Sequence, residues 1–399
     1  MNKSRNYPLL LASQFLSAFG DNVILAIIVG QLTLQQHHGD ISPSTGRTLN
    51  AIYTVLLFIP YIFFAPLAGY VNDRFPKSRW LLGGNVIKVS GCVIAGMSMW
   101  WGPYWQGIGY FIVGIGACLY SPAKYGILPE ILPGERLVKA NGMVELLTLV
   151  AILIGPFAGA TMIDNWAVSL CYSVTFFIYG GSLLLNCFMT KTPSHHEVTL
   201  RACYPEFFKN FKSMVSSPRL VRILAGTVLF WTMGAVFKMN FLPWGLNVMH
   251  LPNNRSVSVL GLCMGLGVMA GSVAAGHLHK VGDLRRTRVY GLTLAALVFV
   301  LGWLTQYWVV IGVLVVTGIS AGLFLVPLNA ALQAECHQDK LGKAIATQNF
   351  VENIAMILGG LYVLGAVQVK LSECGVYIGL GAAVGLVALM LKFPPRTKN

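Results

Sequence analysis

Apolar residues in this chain come in twelve long runs, and polar residues are largely confined to the connections between them. A helix needs about 20 mostly apolar residues to cross the hydrocarbon of a bilayer. The runs cover 9–32, 50–72, 80–101, 106–128, 141–163, 167–190, 221–247, 257–279, 289–307, 309–333, 344–367 and 374–391, with only a tight turn between the ninth and tenth. Soluble α/β proteins also bury apolar runs, but not twelve of this length. The pattern predicts an all-α polytopic membrane protein of 12 transmembrane helices. The first run is not read as a cleavable signal, because its core is too long and contains Asp21.

Six runs precede residue 191 and six follow residue 220. The expected organisation is an N-terminal six-helix bundle over 1–190, a cytoplasmic linker over 191–220 and a C-terminal six-helix bundle over 221–399. In the linker, Phe207, Phe208, Phe211, Met214 and Val215 share one helical face, opposite Glu206, Lys209, Lys212 and Ser213. Such a helix is expected to lie at the membrane interface. The halves carry traces of duplication. Pro122 precedes Glu130 by eight residues, as Pro327 precedes Glu335, and each copy continues to Lys-Ala and then an acid, Glu145 or Glu352. Repeats of this kind build transporters whose halves rock about a shared site.

Composition sharpens the picture in two places. Charged residues are 11% of the chain, against about 25% in a soluble domain. Glycine, at 43 residues, suits close helix packing in lipid, with Gly114, Gly116, Gly261, Gly265, Gly267 and Gly271 as expected contacts. The net charge of +14 does not indicate nucleic acid, because the cations alternate. Lysines and arginines crowd both termini, the linker and the connections after spans two, four, eight and ten. The other connections hold only Arg47, Arg255 and Lys370. This positive-inside bias places both termini in the cytoplasm, where anionic lipids attract the same cations.

Ionisable groups within the runs are the candidate functional residues, since charge in hydrocarbon is costly. Asp21, beside Asn22, lies near the middle of span one; Lys238, followed by Asn240, lies near the middle of span seven. As corresponding first helices of the two halves, these spans are expected to offer a carboxylate and an ammonium to a zwitterionic, tailed substrate. Gln348, Asn349 and Glu352 form a polar group near the start of span eleven, and Lys88 lies within span three. Lys124 and Glu145 are read either as a structural tie or as an inner latch.

The segment from Gly69 through Asp73, Arg74 and Lys77 to Arg79 resembles the signature loop of the major facilitator superfamily. It is expected either to gate the cytoplasmic side or to form an ordinary loop salt bridge. No phosphate-binding loop, nucleophile–base constellation or cysteine cluster accompanies these features, so no cofactor, metal or enzymatic activity is expected.

More specific segments are Gln14-Phe-Leu-Ser-Ala-Phe-Gly-Asp21-Asn22, Tyr120-Ser-Pro-Ala-Lys124-Tyr-Gly, Lys139-Ala-Asn-Gly142, Val326-Pro-Leu-Asn329 and Ala346-Thr-Gln348-Asn349-Phe-Val-Glu352-Asn353. Together they resemble the bacterial lysophospholipid transporter family. The resemblance implies a flippase of the inner membrane that carries lysophosphatidylethanolamine and lysophosphatidylglycerol to the cytoplasmic leaflet. There a separate acyltransferase–acyl carrier protein synthetase rebuilds the diacyl lipid. By position, Asp21, Asn22 and Lys124 match the family's polar residues. Lys238 stands where some relatives have arginine, which keeps the charge but not the planar fork. The alternatives are an exporter of drugs or small amphiphiles and a polytopic membrane acyltransferase.

Overall fold

The computed structural model describes residues 5–133, 137–192, 200–279, 283–335 and 341–393. The chain divides into two compact units, Met1–Pro205 and Glu206–Asn399. The first contains α1 (Asn6–His37), α2 (Pro43–Leu56), α3 (Ile59–Phe63), α4 (Ala65–Arg74), α5 (Lys77–Gly96), α6 (Ser98–Trp101), α7 (Tyr104–Gly126), α8 (Leu128–Ile131), α9 (Leu137–Asn165) and α10 (Val168–Cys187). The unit boundary falls inside α11 (Leu200–Val215). The second unit continues with α12 (Pro218–Asn247), α13 (Asn254–Leu278), α14 (Thr287–Leu301), α15 (Tyr307–Glu335), α16 (Leu341–Gln368) and α17 (Glu373–Met390).

Short-range chemistry accounts for the helix ends. Ser42, Ser217, Asn253 and Ser372 sit in extended backbone, and each accepts a bond from the backbone N–H three residues on. They satisfy donors that no helical carbonyl can reach. Proline at the first turn of α2 and α12 reinforces two of these starts. The second apolar run behaves differently. Pro60 and Pro66 each open a new short helix, so the run becomes the succession α2, α3, α4. A ring that cannot donate to the preceding turn makes such breaks.

Among the described residues, ten helical stretches are long and apolar enough to cross a membrane, against the twelve expected. The fourth and ninth runs make the difference. α7 has 23 residues but is diluted by glycine and tyrosine, and α14 has only 15. Exposed Trp100, Trp101, Tyr104, Trp166, Trp303 and Trp308 gather at connections that alternate with the basic ones. Amphipathic rings favour the headgroup level of a bilayer.

Helix neighbours repeat between the units. α1 packs along α9 as α12 packs along α16, and α5 meets α10 as α14 meets α17. The glycine seams do not repeat. In the first unit the seam joins α5 to α7: a Cβ on Gly91 would lie 2.6 Å from the Gly109 carbonyl oxygen, and one on Gly116 would lie 2.6 Å from that of Gly84. In the second it joins α13 to α15, where Gly267, Gly271, Gly318 and Gly322 abut backbone of the opposite helix. Gly116, Gly267 and Gly271 thus make the expected close contacts. Gly261 does not, since a Cβ there would meet only the Phe241 ring at an ordinary 3.6 Å.

The aromatic face of α11 is not wholly free for lipid. Phe207 and Phe211 make edge contacts with Phe350 of α16, and Met214 is buried, leaving Phe208 and Val215 exposed.

Replacing Gly91 with leucine should force α5 and α7 apart and lower the thermal unfolding temperature of the purified protein in detergent. Gly261→Ala should leave it within a degree or two, because a methyl there meets no backbone. Equal effects from the two changes would refute the assignment of the seam.

Candidate functional site

Asp21 lies halfway along α1, on the face turned toward α5 and α10. Its two carboxylate oxygens have different partners. Lys88 Nζ, on α5, sits 2.6 Å from Oδ2, and the Tyr179 hydroxyl of α10 donates to Oδ1 at 2.9 Å. Lys88 is 2% exposed and the Asp21 side chain 17%. The ammonium also donates to Ser17 Oγ at 2.8 Å and lies 5.2 Å from the centre of the Tyr120 ring. Ring and ammonium attract through the ring's negative face.

Hydrogen bonds extend from this pair along the bundle. Ser17 donates to Asn85 Oδ1 at 2.9 Å, the Asn85 amide donates to Ser182 Oγ at 2.7 Å, and Ser182 donates to the Ser13 carbonyl at 2.7 Å. Ser13 and Tyr120 share a further hydroxyl contact at 3.3 Å. Four helices therefore contribute to one polar strand inside an apolar core. In a medium without water each of these groups needs a protein partner, and the network supplies it.

Asn22, one residue further on, points elsewhere. Its amide donates back to the Ala18 carbonyl at 2.9 Å, and its Cβ occupies the space left by Gly155 of α9. Lys124 reaches Thr148 Oγ1 on α9 at 3.4 Å and lies 4.8 Å from the Tyr125 ring centre. Thr148 in turn donates to Gln14 Oε1 at 3.2 Å. The side chains of Asp73 and Glu145 lie outside the described residues, so the Lys124–Glu145 latch does too. Arg74 donates to the Tyr70 hydroxyl at 2.7 Å.

In the second unit the polar residues separate into distinct places. Gln348 Nε2 donates to Asn329 Oδ1 at 2.8 Å and to Glu352 Oε1 at 2.7 Å, joining α15 to α16. Asn349, a neighbour in sequence, is exposed. Lys238 is exposed, whereas Asn240 is buried and donates to the Glu373 carbonyl at the start of α17, 2.9 Å away. Residues two apart on a helix face opposite ways. The expected grouping of Lys238 with Asn240 is thereby corrected: Asn240 ties α12 to α17.

Comparison with known proteins bears on what such a chain does. Residues 10–360 match the Major Facilitator Superfamily model. Lysophospholipid transporter LplT of Photorhabdus laumondii is 32% identical over 97% of this chain and 95% of its own length. Those of Enterobacter sp. strain 638 and Klebsiella pneumoniae are each 34% identical, over 96% and 97% of this chain and 94% and 95% of theirs. The chain belongs to the LplT family of the major facilitator superfamily. Among solved structures, a POT family transporter bound to 5-aminolevulinic acid superposes with a TM-score of 0.75 at 14% identity, covering 97% of this chain and 95% of that one. The human organic anion transporter MFSD10 gives 0.69 at 13%, over 98% and 100%. At such identities the likeness shows the fold alone. The LplT-family chain is thus a multi-pass membrane transporter rather than an enzyme.

Two features of this LplT-family chain escaped the sequence reading. Lys88 was visible as a charge in span three, but nothing in its own helix says that it meets Asp21. At the start of α5, Lys77 pairs with Glu130, while Glu335 in the second unit pairs with Arg219. The acids repeat between the halves; their partners come from different positions.

Lys88→Met and Asp21→Asn should each destabilise the purified protein, by about 3–5 kcal/mol if each strands its partner as in other buried pairs. The double variant should recover most of that loss. Additive losses in thermal or denaturant unfolding would show that the two side chains act independently.

Proposed function

We propose that this protein moves lysophospholipids, lysophosphatidylethanolamine and lysophosphatidylglycerol in particular, across the bacterial inner membrane to the cytoplasmic leaflet. The reading is carried by one observation: a partly open carboxylate, held by an ammonium and a tyrosine, midway along a membrane-spanning helix. A polar headgroup with a single hydrocarbon tail suits such surroundings. The lysophospholipid transporters that match nearly the whole chain support the same substrate class. Twelve crossings are assigned by adding α7 and α14 to the ten apolar stretches, with both termini in the cytoplasm.

Asp21 and Asn22 in the first unit, and Lys238, Gln348, Asn349 and Glu352 in the second, are assigned to headgroup handling. Asp73, Arg74, Lys124 and Glu145 are assigned to cytoplasmic gating during alternating access. Reacylation falls to a separate acyltransferase–acyl carrier protein synthetase, and the basic connections attract anionic lipids of the inner leaflet.

Purified protein in liposomes should deliver a fluorescent lysophosphatidylethanolamine to the opposite leaflet faster than protein-free vesicles. Movement of soluble drugs with lysolipids left untouched would replace this reading with that of an exporter. Lys238→Ala should slow both lysolipids by about tenfold or more if its charge meets phosphate, since a bond to a charged group is worth about 1.5–3 kcal/mol. Lys238→Arg should retain transport. Wild-type rates in a folded Lys238→Ala protein would remove that residue from the site.

A further inference from the structure

The Asp21–Lys88 pair closes on itself in a way that matches the charge pattern of a zwitterionic headgroup. We propose that Lys88 is a substrate ligand: a lysophosphatidylethanolamine headgroup exchanges with the internal pair, its phosphate going to Lys88 and its ammonium to Asp21. The inference rests on the lysophospholipid reading above and adds a residue and a binding mode to it.

The first support is electrostatic. A buried pair has no net charge, and separating it leaves two uncompensated ions in a medium where each is costly. A lone cation arriving at Asp21 would strand Lys88; a lone anion arriving at Lys88 would strand Asp21. A headgroup that carries both signs a few bonds apart compensates both at once. The exchange conserves charge and breaks no covalent bond.

The second support is the state of the two side chains. An ammonium has three donors. Asp21 and Ser17 take two, and among the described residues no oxygen takes the third. The ring of Tyr120 and the hydroxyl of Ser17 remain with Lys88 when Asp21 is engaged elsewhere, so the cation does not depend wholly on the pair. The seam at Gly116 fixes the lysine stem, since a Cβ there would lie 2.7 Å from Lys88 Cγ. Asp21 is the more open of the two partners, and an ionised carboxylate accepts more bonds than the two it makes here.

The third support is an orphaned hydroxyl. Tyr110 belongs to the same core as Tyr179 and is fully buried, yet its hydroxyl has no hydrogen-bond partner. A buried hydroxyl without a partner is unfavourable, and an incoming headgroup brings phosphate and ester oxygens that can accept from it.

The decisive measurement leaves the chain unaltered. In liposomes, magic-angle-spinning NMR of protein labelled with 15N-lysine and 13C-aspartate should show a dipolar coupling between Lys88 Nζ and Asp21 Cγ, with Lys88→Met identifying the signal. Saturating lysophosphatidylethanolamine should remove that coupling, and a monoacylglycerol, which lacks phosphate and ammonium, should leave it. Persistence of the coupling with bound lysophosphatidylethanolamine would overturn the proposal.

Transport supplies the second arm. The Asp21→Asn, Lys88→Met double variant, checked for wild-type thermal stability, should move lysophosphatidylethanolamine about tenfold to a hundredfold more slowly, the loss expected for bonds to charged groups. A stable double variant with wild-type transport would reduce the pair to a structural tie and overturn the proposal. Failure of the wild-type protein to move any lysolipid in the same vesicles would instead overturn the substrate assignment on which the inference rests.

Discussion

A charge placed in hydrocarbon must find its counter-charge and its hydrogen-bond partners within the protein. In the first unit that demand is met by Lys88 and Asp21, and the surrounding polar groups follow from it. Ser17 and Tyr120 complete the lysine, Tyr179 completes the aspartate, and Asn85, Ser182 and Ser13 continue the chain of satisfied donors across α1, α5, α7 and α10. Lipid gives apolar side chains little reason to prefer one another over acyl tails. Polar bonds and close packing therefore decide which helices lie together and in what register.

In the second unit amides meet the same demand around Glu352 and at the start of α17. Gln348 spends both protons of its amide on Asn329 and Glu352, and the buried Asn240 holds the beginning of α17. At helix ends both units use ion pairs, Lys77 with Glu130 and Arg219 with Glu335. The two units share the acids and the main helix neighbours, while the cations and the glycine contacts differ in position. Units alike in outline can thus differ in what holds them.

Much of the fold could be read along the chain, because run length and capping chemistry act within one helix. Ser42, Ser217, Asn253 and Ser372 mark their helix starts through neighbours three residues away, and Asp21 stands out as a charge at mid-span. What escaped depends on relations between helices. No periodicity in α5 reports the depth at which it meets α1, so Lys88 was seen but not its partner. Lys238 and Asn240 looked like one group because they are close in sequence, although the helix turns them to opposite sides. Pro60 and Pro66 were visible, but hydropathy alone did not resolve their run into three helices. The side chains of Asp73 and Glu145 lie outside the described residues, and their gating role stands as proposed.

The seam between α5 and α7 has a mechanical consequence. Backbones in contact at Gly84, Gly91, Gly109 and Gly116 have no side-chain layer to shear, so the two helices act as a single stiff plate. Lys88 is mounted on that plate, while Asp21 is mounted on α1, which packs instead along α9 and α10. The salt bridge is therefore a strain gauge: sliding of α1 against the plate is read directly as a change in one nitrogen–oxygen distance.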